Sequence, residues 1–452
     1  MKVRTRFAPS PTGYLHVGGL RTALYNFLFA RQQKGQFILR IEDTDQNRLV
    51  ENAIQNLQKT LNVCGLEFDE DPNNGNYGPY VQSERLDIYK KYYYFLIENS
   101  FAYPCFFNKD KPELLYPEFD VKKAIEKMKY QPFVVKFLLD KKKSLIINDG
   151  IRGDIKFDLN LIEDPIIIKS DGFPTYHFAN VIDDHLMKIT HVIRGEEWIS
   201  SLPIHVSLYK AFKWDLPLFY HLPLLLNEDK SKLSKRQGDV AVEDFLSKGY
   251  LKDTLINFVA LLGWHPANDT EIFSLKDLET NFNIKRVNKG GAIFDVKKLN
   301  WMNNLYIKNS SNKNIIPYIL KIIKKQNLMI EDSEKLLKII EYSKPRINTL
   351  YDIVDIIKMF NCIPEDYISI NDYDYKKLFI YWMQSLERIN NINESEIKNL
   401  IEDTNTDLNI SGKNLFIPLR YGLIGINHGP DLFSIINILG INESVKRLKN
   451  GI

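Results

Sequence analysis

The run Phe7-Ala8-Pro9-Ser10-Pro11-Thr12-Gly13-Tyr14-Leu15-His16-Val17-Gly18-Gly19 constrains this chain more than any other segment. Its two prolines stiffen the backbone, and its glycine pair stands where a helical pattern begins. Residues 3–7 can form a short strand, and Leu20, Leu24, Phe27 and Leu28 fall on one face of a helix ending near Gly35. A strand, a tight loop and a helix N-terminus make the usual phosphate-binding geometry of α/β proteins. Gly18 and Gly19 let phosphates approach backbone N–H groups with no Cβ in the way, and His16 can donate to phosphate oxygens. Taken alone, the His-x-Gly-Gly pattern favours the alternative, a packing turn with a solvent-exposed histidine.

The rest of the chain supplies the context. A strand predicted at 36–41 delivers Glu42-Asp43-Thr44-Asp45 at its C-terminal end, the edge where open α/β sheets bind ligands. Helices are predicted at 51–64 and 83–98, with a turn-rich stretch at 71–79. Over 101–170 the texture changes to a lysine-rich helical piece near 121–130 and short strands at 133–138 and 154–157, which reads as an α+β insertion. Sheet patterns resume at 175–182 and 189–193, followed by a helix at 202–212 and the polar loop 227–238. Residues 1–100 and 171–240 are therefore the two halves of one α/β domain, split by the insertion. A mixed, mostly helical segment over 241–310 follows. Amphipathic helices then run through 311–452, where Ile315, Ile316, Ile319 and Ile323, then Leu336, Leu337 and Ile340, keep helical spacing.

Composition narrows the class without choosing a partner. A chain of 452 residues, 44% hydrophobic, can bury several cores. Its net charge of +3 permits a nucleic-acid partner but does not argue for one. Cys64, Cys105 and Cys362 are scattered, which supports neither a disulfide framework nor a four-ligand zinc site and fits a reducing compartment. No apolar run reaches the roughly 18 residues of a spanning helix. The nucleotide loop begins so near Met1 that no targeting segment is expected, and the expected location is the cytoplasm. His191, His205 and His221 show no ligand spacing and read as core or surface histidines.

A second loop, Asp229-Lys230-Ser231-Lys232-Leu233-Ser234-Lys235-Arg236-Gln237-Gly238, carries enough cations to clamp a polyphosphate, although an isolated basic run is usually a solvated surface. Together, Ser10-Pro11-Thr12-Gly13, His16-Val17-Gly18-Gly19 and Lys232-Leu233-Ser234-Lys235-Arg236 resemble the two signature motifs of class I aminoacyl-tRNA synthetases, in particular the glutamyl branch. The resemblance continues through Arg40-Ile41-Glu42-Asp43-Thr44-Asp45, Asp171-Gly172-Phe173-Pro174-Thr175-Tyr176-His177, Val192-Ile193-Arg194-Gly195-Glu196-Glu197-Trp198 and Leu262-Gly263-Trp264. It implies a Rossmann-like catalytic domain whose insertion meets the tRNA acceptor end, a stem-contact domain, and an all-α anticodon-binding region.

By that resemblance the chain activates L-glutamate with ATP and Mg²⁺ to glutamyl-adenylate, then transfers glutamate to the 2′-hydroxyl of the terminal adenosine of tRNA(Glu). A monomer with no membrane association is expected. His16, Lys232 and Lys235 would neutralise the departing pyrophosphate. Ser10, Gly18, Gly19, Leu224, Leu225 and Ser234 would complete the ATP site. Arg6 and Arg194 would face the carboxylates of glutamate, with hydrogen bonds from Tyr176 and Asn180 and the ammonium group on Glu42. Ala8, Ser10 and Glu197 would also touch the amino acid. The glutaminyl relatives carry a small uncharged residue at the position of Arg194, whose alternative role is a surface ion pair with Glu196 or Glu197. Gly19 in place of a second histidine is usual in this branch. Zinc is not expected, because Cys105 stands alone where some members carry a cysteine and histidine cluster.

The resemblance weakens after 311, where it rests on Lys344-Pro345-Arg346, Pro418-Leu419-Arg420 and Gly425. Arg346 would read the anticodon, its alternative being an ordinary helix-start residue after Pro345. A glutaminyl-type enzyme, a non-discriminating enzyme that also charges tRNA(Gln), and an inactive tRNA-binding relative are the competing functions. Arg194 opposes the first, and intact His16, Lys232 and Lys235 oppose the last.

Overall fold

The computed structural model describes residues 2–111, 114–142, 144–233, 240–330, 332–363 and 375–452. Two compact units divide it, one of residues 1–247 and 252–296, the other of residues 248–251 and 297–452.

In the first unit, strand Arg4–Phe7 pairs in parallel with Gln36–Leu39, and the helix Val17–Gln32 connects them. Leu20, Leu24, Phe27 and Leu28 of that helix are buried, as their spacing predicts. Strands His191–Gly195 and Leu218–Leu222 form a second parallel pair. The two pairs are stitched together at Thr190, whose N–H donates to the Arg4 carbonyl at 3.0 Å while its hydroxyl accepts from the Arg4 N–H at 2.8 Å.

The insertion is shared between two sheets. Leu115–Pro117, Ala102–Phe107, Phe133–Phe137 and Ile166–Ile168 form an antiparallel sheet of their own. The hairpin of Ser144–Asp149 and Gly153–Asp158 instead joins the edge of Leu218–Leu222, with Asp149 opposite Phe219. Alternation predicts the strand at 154–157, whose partner is the neighbouring Ser144–Asp149; the join of that neighbour to Leu218–Leu222, far along the chain, leaves no local signal.

Residues 175–182, expected as sheet, are instead helical: Thr175 precedes a helix over Tyr176–Leu186. Phe178, Val181 and Ile182 recur at helical spacing, and a short apolar run of this kind does not separate strand from helix. The same spacing brings Asn180, Asp183 and Asp184 onto one buried face.

Two adjacent carboxylates in a core require counter-ions, and three arginines from distant elements supply them. Arg6 grips Asp184 with Nε and a terminal nitrogen at 3.0 and 3.3 Å, and Arg40 reaches the same carboxylate at 2.7 Å. Arg85 Nε lies 2.7 Å from Asp183, which also accepts from Gln82 at 2.9 Å and from Tyr89 at 2.8 Å. Burial alone would raise the Asp184 carboxyl, but Arg6 and Arg40 outweigh it and hold it below the ordinary range.

The second unit is helical. Ile315, Ile319 and Ile323 of helix Asn312–Lys325 and Ile340 of helix Ser333–Ser343 enter its core, beside Trp382, Phe379 and Leu419. Gly425 ends the helix Lys413–Ile424 at φ 72°, a left-handed conformation that disfavours side chains. Arg447 is buried and donates to the carbonyls of Phe360, Cys362 and Leu423, joining three helix ends. Among the described residues no helix is long and apolar enough to cross a membrane.

Replacing Asp184 by Asn strands the buried Arg6 without its carboxylate, and the expected loss of stability is roughly 3–5 kcal/mol. Because the native carboxyl is held low, its contribution is full above the unfolded value near about pH 4 and fades as pH falls through the native one. Denaturant melts at several pH values should show a lower midpoint for Asp184→Asn and a flatter acid limb. An unchanged midpoint would rule out this role.

Candidate active site

The C-terminal edge of the parallel strands opens into a cavity of about 700 Å³. Ten of the sequence-predicted residues line it: Arg6, Ala8, Ser10, Gly18, Gly19, Glu42, Tyr176, Asn180, Arg194 and Glu197. His16, Leu224, Leu225 and Lys232 lie outside that lining. Ser234 and Lys235 lie outside the described residues. The lining also includes residues not anticipated as contacts, notably Thr44, Asp45, Arg48, Lys169 and Trp198. Lys169 closes one wall by donating to the Thr44 carbonyl and to Asp171, both at 3.0 Å.

His16 begins the helix Val17–Gln32 as its cap, with Nδ1 accepting the Gly18 N–H at 2.9 Å. A neutral imidazole that accepts at Nδ1 carries its proton on Nε2, so the ring keeps a donor. The Gly18 N–H, anticipated for a phosphate, is thus engaged by the cap. The glycine pair also answers to packing: a Cβ at Gly18 would sit 3.2 Å from the His16 ring, and one at Gly19 3.0 Å from Leu15. The same Gly18 Cβ would come 3.9 Å from Leu225, so that residue borders the glycine turn although it does not line the cavity.

Lys232 stands on a short hairpin. Leu233 donates to the Leu225 carbonyl and Asn227 to the Ser231 carbonyl, both at 2.9 Å. The hairpin is tethered at its base, where the Leu224 N–H donates to Glu196 at 2.8 Å and Arg152 forms an ion pair with the same carboxylate.

The two arginines singled out for carboxylate recognition differ in their surroundings. Arg6 is already paired with Asp184. Arg194 is 4% exposed and makes no ion pair among the described residues. It donates only to uncharged acceptors: His221 Nε2 at 3.0 Å, the Tyr176 hydroxyl at 3.1 Å, His205 Nδ1 at 3.2 Å and the Trp198 carbonyl at 3.4 Å. The alternative pairing with Glu196 or Glu197 is absent; Glu196 is taken by Arg152.

Burial, the Arg194 charge and His177 push the His205 imidazole well below its ordinary value. Burial likewise lowers His221 against the raising pull of Asp149. These histidines, read from the sequence as ordinary core or surface residues, are the immediate supports of Arg194. The Tyr176 ring packs against Trp198 at a tilt of 33°, with ring centroids 4.1 Å apart, and Tyr176 lines the cavity.

Glu42 receives Arg40 on one oxygen at 2.9 Å, and its other oxygen accepts no hydrogen bond among the described residues. Burial raises its carboxyl against the pull of Arg40. Asn180 satisfies both ends of its amide when the oxygen faces Arg40 at 3.0 Å and the nitrogen faces Asp184 at 3.2 Å. The cavity therefore offers a cation seeking an anion at one place and a carboxylate oxygen seeking a donor at another.

In the second unit, Arg346 is exposed in the turn after helix Ser333–Ser343, not at a helix start. Its guanidinium lies 3.9 Å from the centroid of the Tyr342 ring and donates to the Tyr342 carbonyl at 2.6 Å.

Residues 2–301 match the family model described as tRNA synthetases class I (E and Q), catalytic domain, and residues 312–452 match an anticodon binding domain. The glutamate–tRNA ligase of Pelodictyon phaeoclathratiforme is 42% identical, covering 100% of this chain and 98% of its own. That of Clostridioides difficile is 39% identical over 99% and 98%. Among solved structures, a glutamate tRNA ligase from Elizabethkingia meningosepticum in complex with its amino acid superposes with a TM-score of 0.89 at 36% identity, covering 99% of both chains. A glutamate-tRNA synthetase from Elizabethkingia anophelis gives 0.86 at 37% identity, again over 99% of both. An α/β unit that gathers these side chains at its strand ends, a helical unit after it, and these full-length likenesses place the chain in the class I tRNA synthetase family, among the glutamate–tRNA ligases.

Proposed function

We propose that this chain charges tRNA(Glu) with L-glutamate in two steps, and that Arg194 carries the choice of amino acid. The supporting observation is a buried guanidinium at the cavity whose hydrogen-bond partners among the described residues are all uncharged. A buried cation without a counter-ion is costly, and a side-chain carboxylate entering the cavity would supply one. Glutamine would leave that charge uncompensated, and such a site rejects the mismatched analogue strongly. Glu42, with one oxygen open, would take the ammonium group, and Tyr176 and Asn180 would complete the amino-acid contacts. Ala8, Ser10 and Glu197 would line its path.

In the first step the α-carboxylate of glutamate attacks the α-phosphorus of ATP, and pyrophosphate leaves. The Ser10 to Gly19 loop, the Leu224–Leu225 segment and the Lys232–Lys235 loop would hold the nucleotide. His16 Nε2–H and the ammonium groups of Lys232 and Lys235 would offset charge on the departing phosphates, and Ser234 would add a donor. Mg²⁺ would accompany the nucleotide and offset charge on its phosphates. In the second step the 2′-hydroxyl of the terminal adenosine attacks the carbonyl of glutamyl-adenylate, and AMP leaves. In the helical unit, Arg346 stacked on Tyr342 would meet an anticodon base with its exposed face. The expected setting is a monomer in the cytoplasm.

Aminoacylation of purified tRNA(Glu) with ATP is expected with glutamate and not with glutamine; equal charging would overturn the assignment of Arg194. Arg194→Ala should lower the preference for glutamate by roughly a hundredfold, the scale of breaking a buried charge pair. A ratio that does not move would refute it. Lys235→Ala should slow adenylate formation by about 10²- to 10³-fold, as for other transition-state donors, while tRNA affinity stays within a factor of a few. Equal losses in both would make the loop a docking surface.

A further inference from the structure

The supports of Arg194 form two relays whose proton positions follow from elementary chemistry. Arginine only donates, so each imidazole nitrogen facing it must be unprotonated. His221 accepts from Arg194 through Nε2, which places its single proton on Nδ1, 2.6 Å from Oδ2 of Asp149. His205 faces Arg194 through Nδ1, which places its proton on Nε2, 3.3 Å from Nδ1 of His177. Asp149, His221 and His205 are all at most 2% exposed. The other oxygen of Asp149 is committed to the backbone N–H groups of Ile151 and Arg152, both at 2.9 Å, and of His221 at 3.4 Å. Its carboxylate cannot turn, and it offers His221 an acceptor only.

This arrangement counts out the donors of Arg194. Of five N–H bonds, one points at His221, one at His205, one at Tyr176 and one at Trp198, leaving one on the same terminal nitrogen that meets Trp198. The Tyr176 hydroxyl accepts from Arg194 and so keeps its own proton to donate. Towards a ligand, both groups are donors. A carboxylate accepts from both, whereas the NH₂ end of a carboxamide would face a donor.

We propose that Asp149 and His221 are positioning residues for amino-acid choice: the Asp149 carboxylate fixes the His221 tautomer, and that tautomer holds the guanidinium in a donor-only orientation with its charge unmatched. The inference rests on Arg194 being the carboxylate reader. Its sharpest test is Asp149→Asn. The committed oxygen position must stay an oxygen to serve three N–H groups, so the new NH₂ faces His221 Nδ1 and moves the ring proton to Nε2, against the Arg194 N–H. A near-isosteric change thereby inverts one hydrogen bond two side chains from the cavity.

In steady-state charging of tRNA(Glu), Asp149→Asn and His221→Leu are expected to raise the KM for glutamate about tenfold, the scale of one lost buried hydrogen bond. The KM values for ATP and tRNA should stay within twofold, and glutamine should compete better. His221→Gln, whose amide oxygen can accept from Arg194, should recover most of the loss. A glutamate KM within twofold of the parent in folded Asp149→Asn overturns the relay. So does a rise matched by the ATP KM, or His221→Gln behaving as poorly as Leu. If His221→Leu does not fold, Asp149→Asn and His221→Gln decide alone. Arg194→Ala run in parallel separates the two levels. An unchanged glutamate preference there removes the reader itself, whereas its loss alongside unaffected Asp149→Asn removes only the relay.

Discussion

The adjacent carboxylates of Asp183 and Asp184, buried on one helix and neutralised by Arg6, Arg40 and Arg85, are the constraint on which the catalytic unit depends. Each partner comes from a different element: the first strand, the end of the second, and the approach to the helix Leu86–Glu98. Taking such charges from water costs several kcal/mol per ion, of the order of about 5, so the elements must arrive together or not at all. The seam is thus selective before it is stabilising. It lets a chain interrupted by a whole insertion recover one register between its two halves, because that register brings these five charges together.

Arg6 and Arg194 show how one residue type serves two ends. Arg6 spends its charge on Asp184 within the protein, and the fold gains from it. Arg194 is surrounded by acceptors that satisfy its hydrogen bonds without cancelling its charge. The difference lies in the neighbours, a carboxylate in one case and neutral imidazoles in the other. A protein that paired both arginines internally would be a more comfortable fold and a poorer receptor for an anion.

Legibility in the sequence followed the range of the interaction. The loop from Phe7 to Gly19 was readable because strand, loop, cap and helix are contiguous, and the isoleucine spacing of 315–323 was readable because a helix repeats locally. The Tyr176–Leu186 helix was not, since its apolar run is too short to fix a period. Nor were Asp149, Asp184, His205 and His221, whose meaning rests on partners far away in sequence; Arg6 and Asp184 are separated by 178 positions. One local clue existed: two successive aspartates after Val181-Ile182 interrupt an apolar face, and buried acidic pairs demand cations. Arg346 was located by resemblance, but its support from the Tyr342 ring is a contact no motif encodes.

The hairpin of Ser144–Asp158 carries a consequence for how such a chain can be rearranged. It lies within the span that interrupts the catalytic halves, yet it is laced onto Leu218–Leu222 and brings Asp149 beneath His221. The interruption is therefore not a detachable module. Transplanting the span from a relative, or trimming it to a short linker, would remove an edge of the parallel sheet and the anchor under His221. Within that span only the outer antiparallel sheet is separable, while the hairpin behind it travels with the catalytic halves.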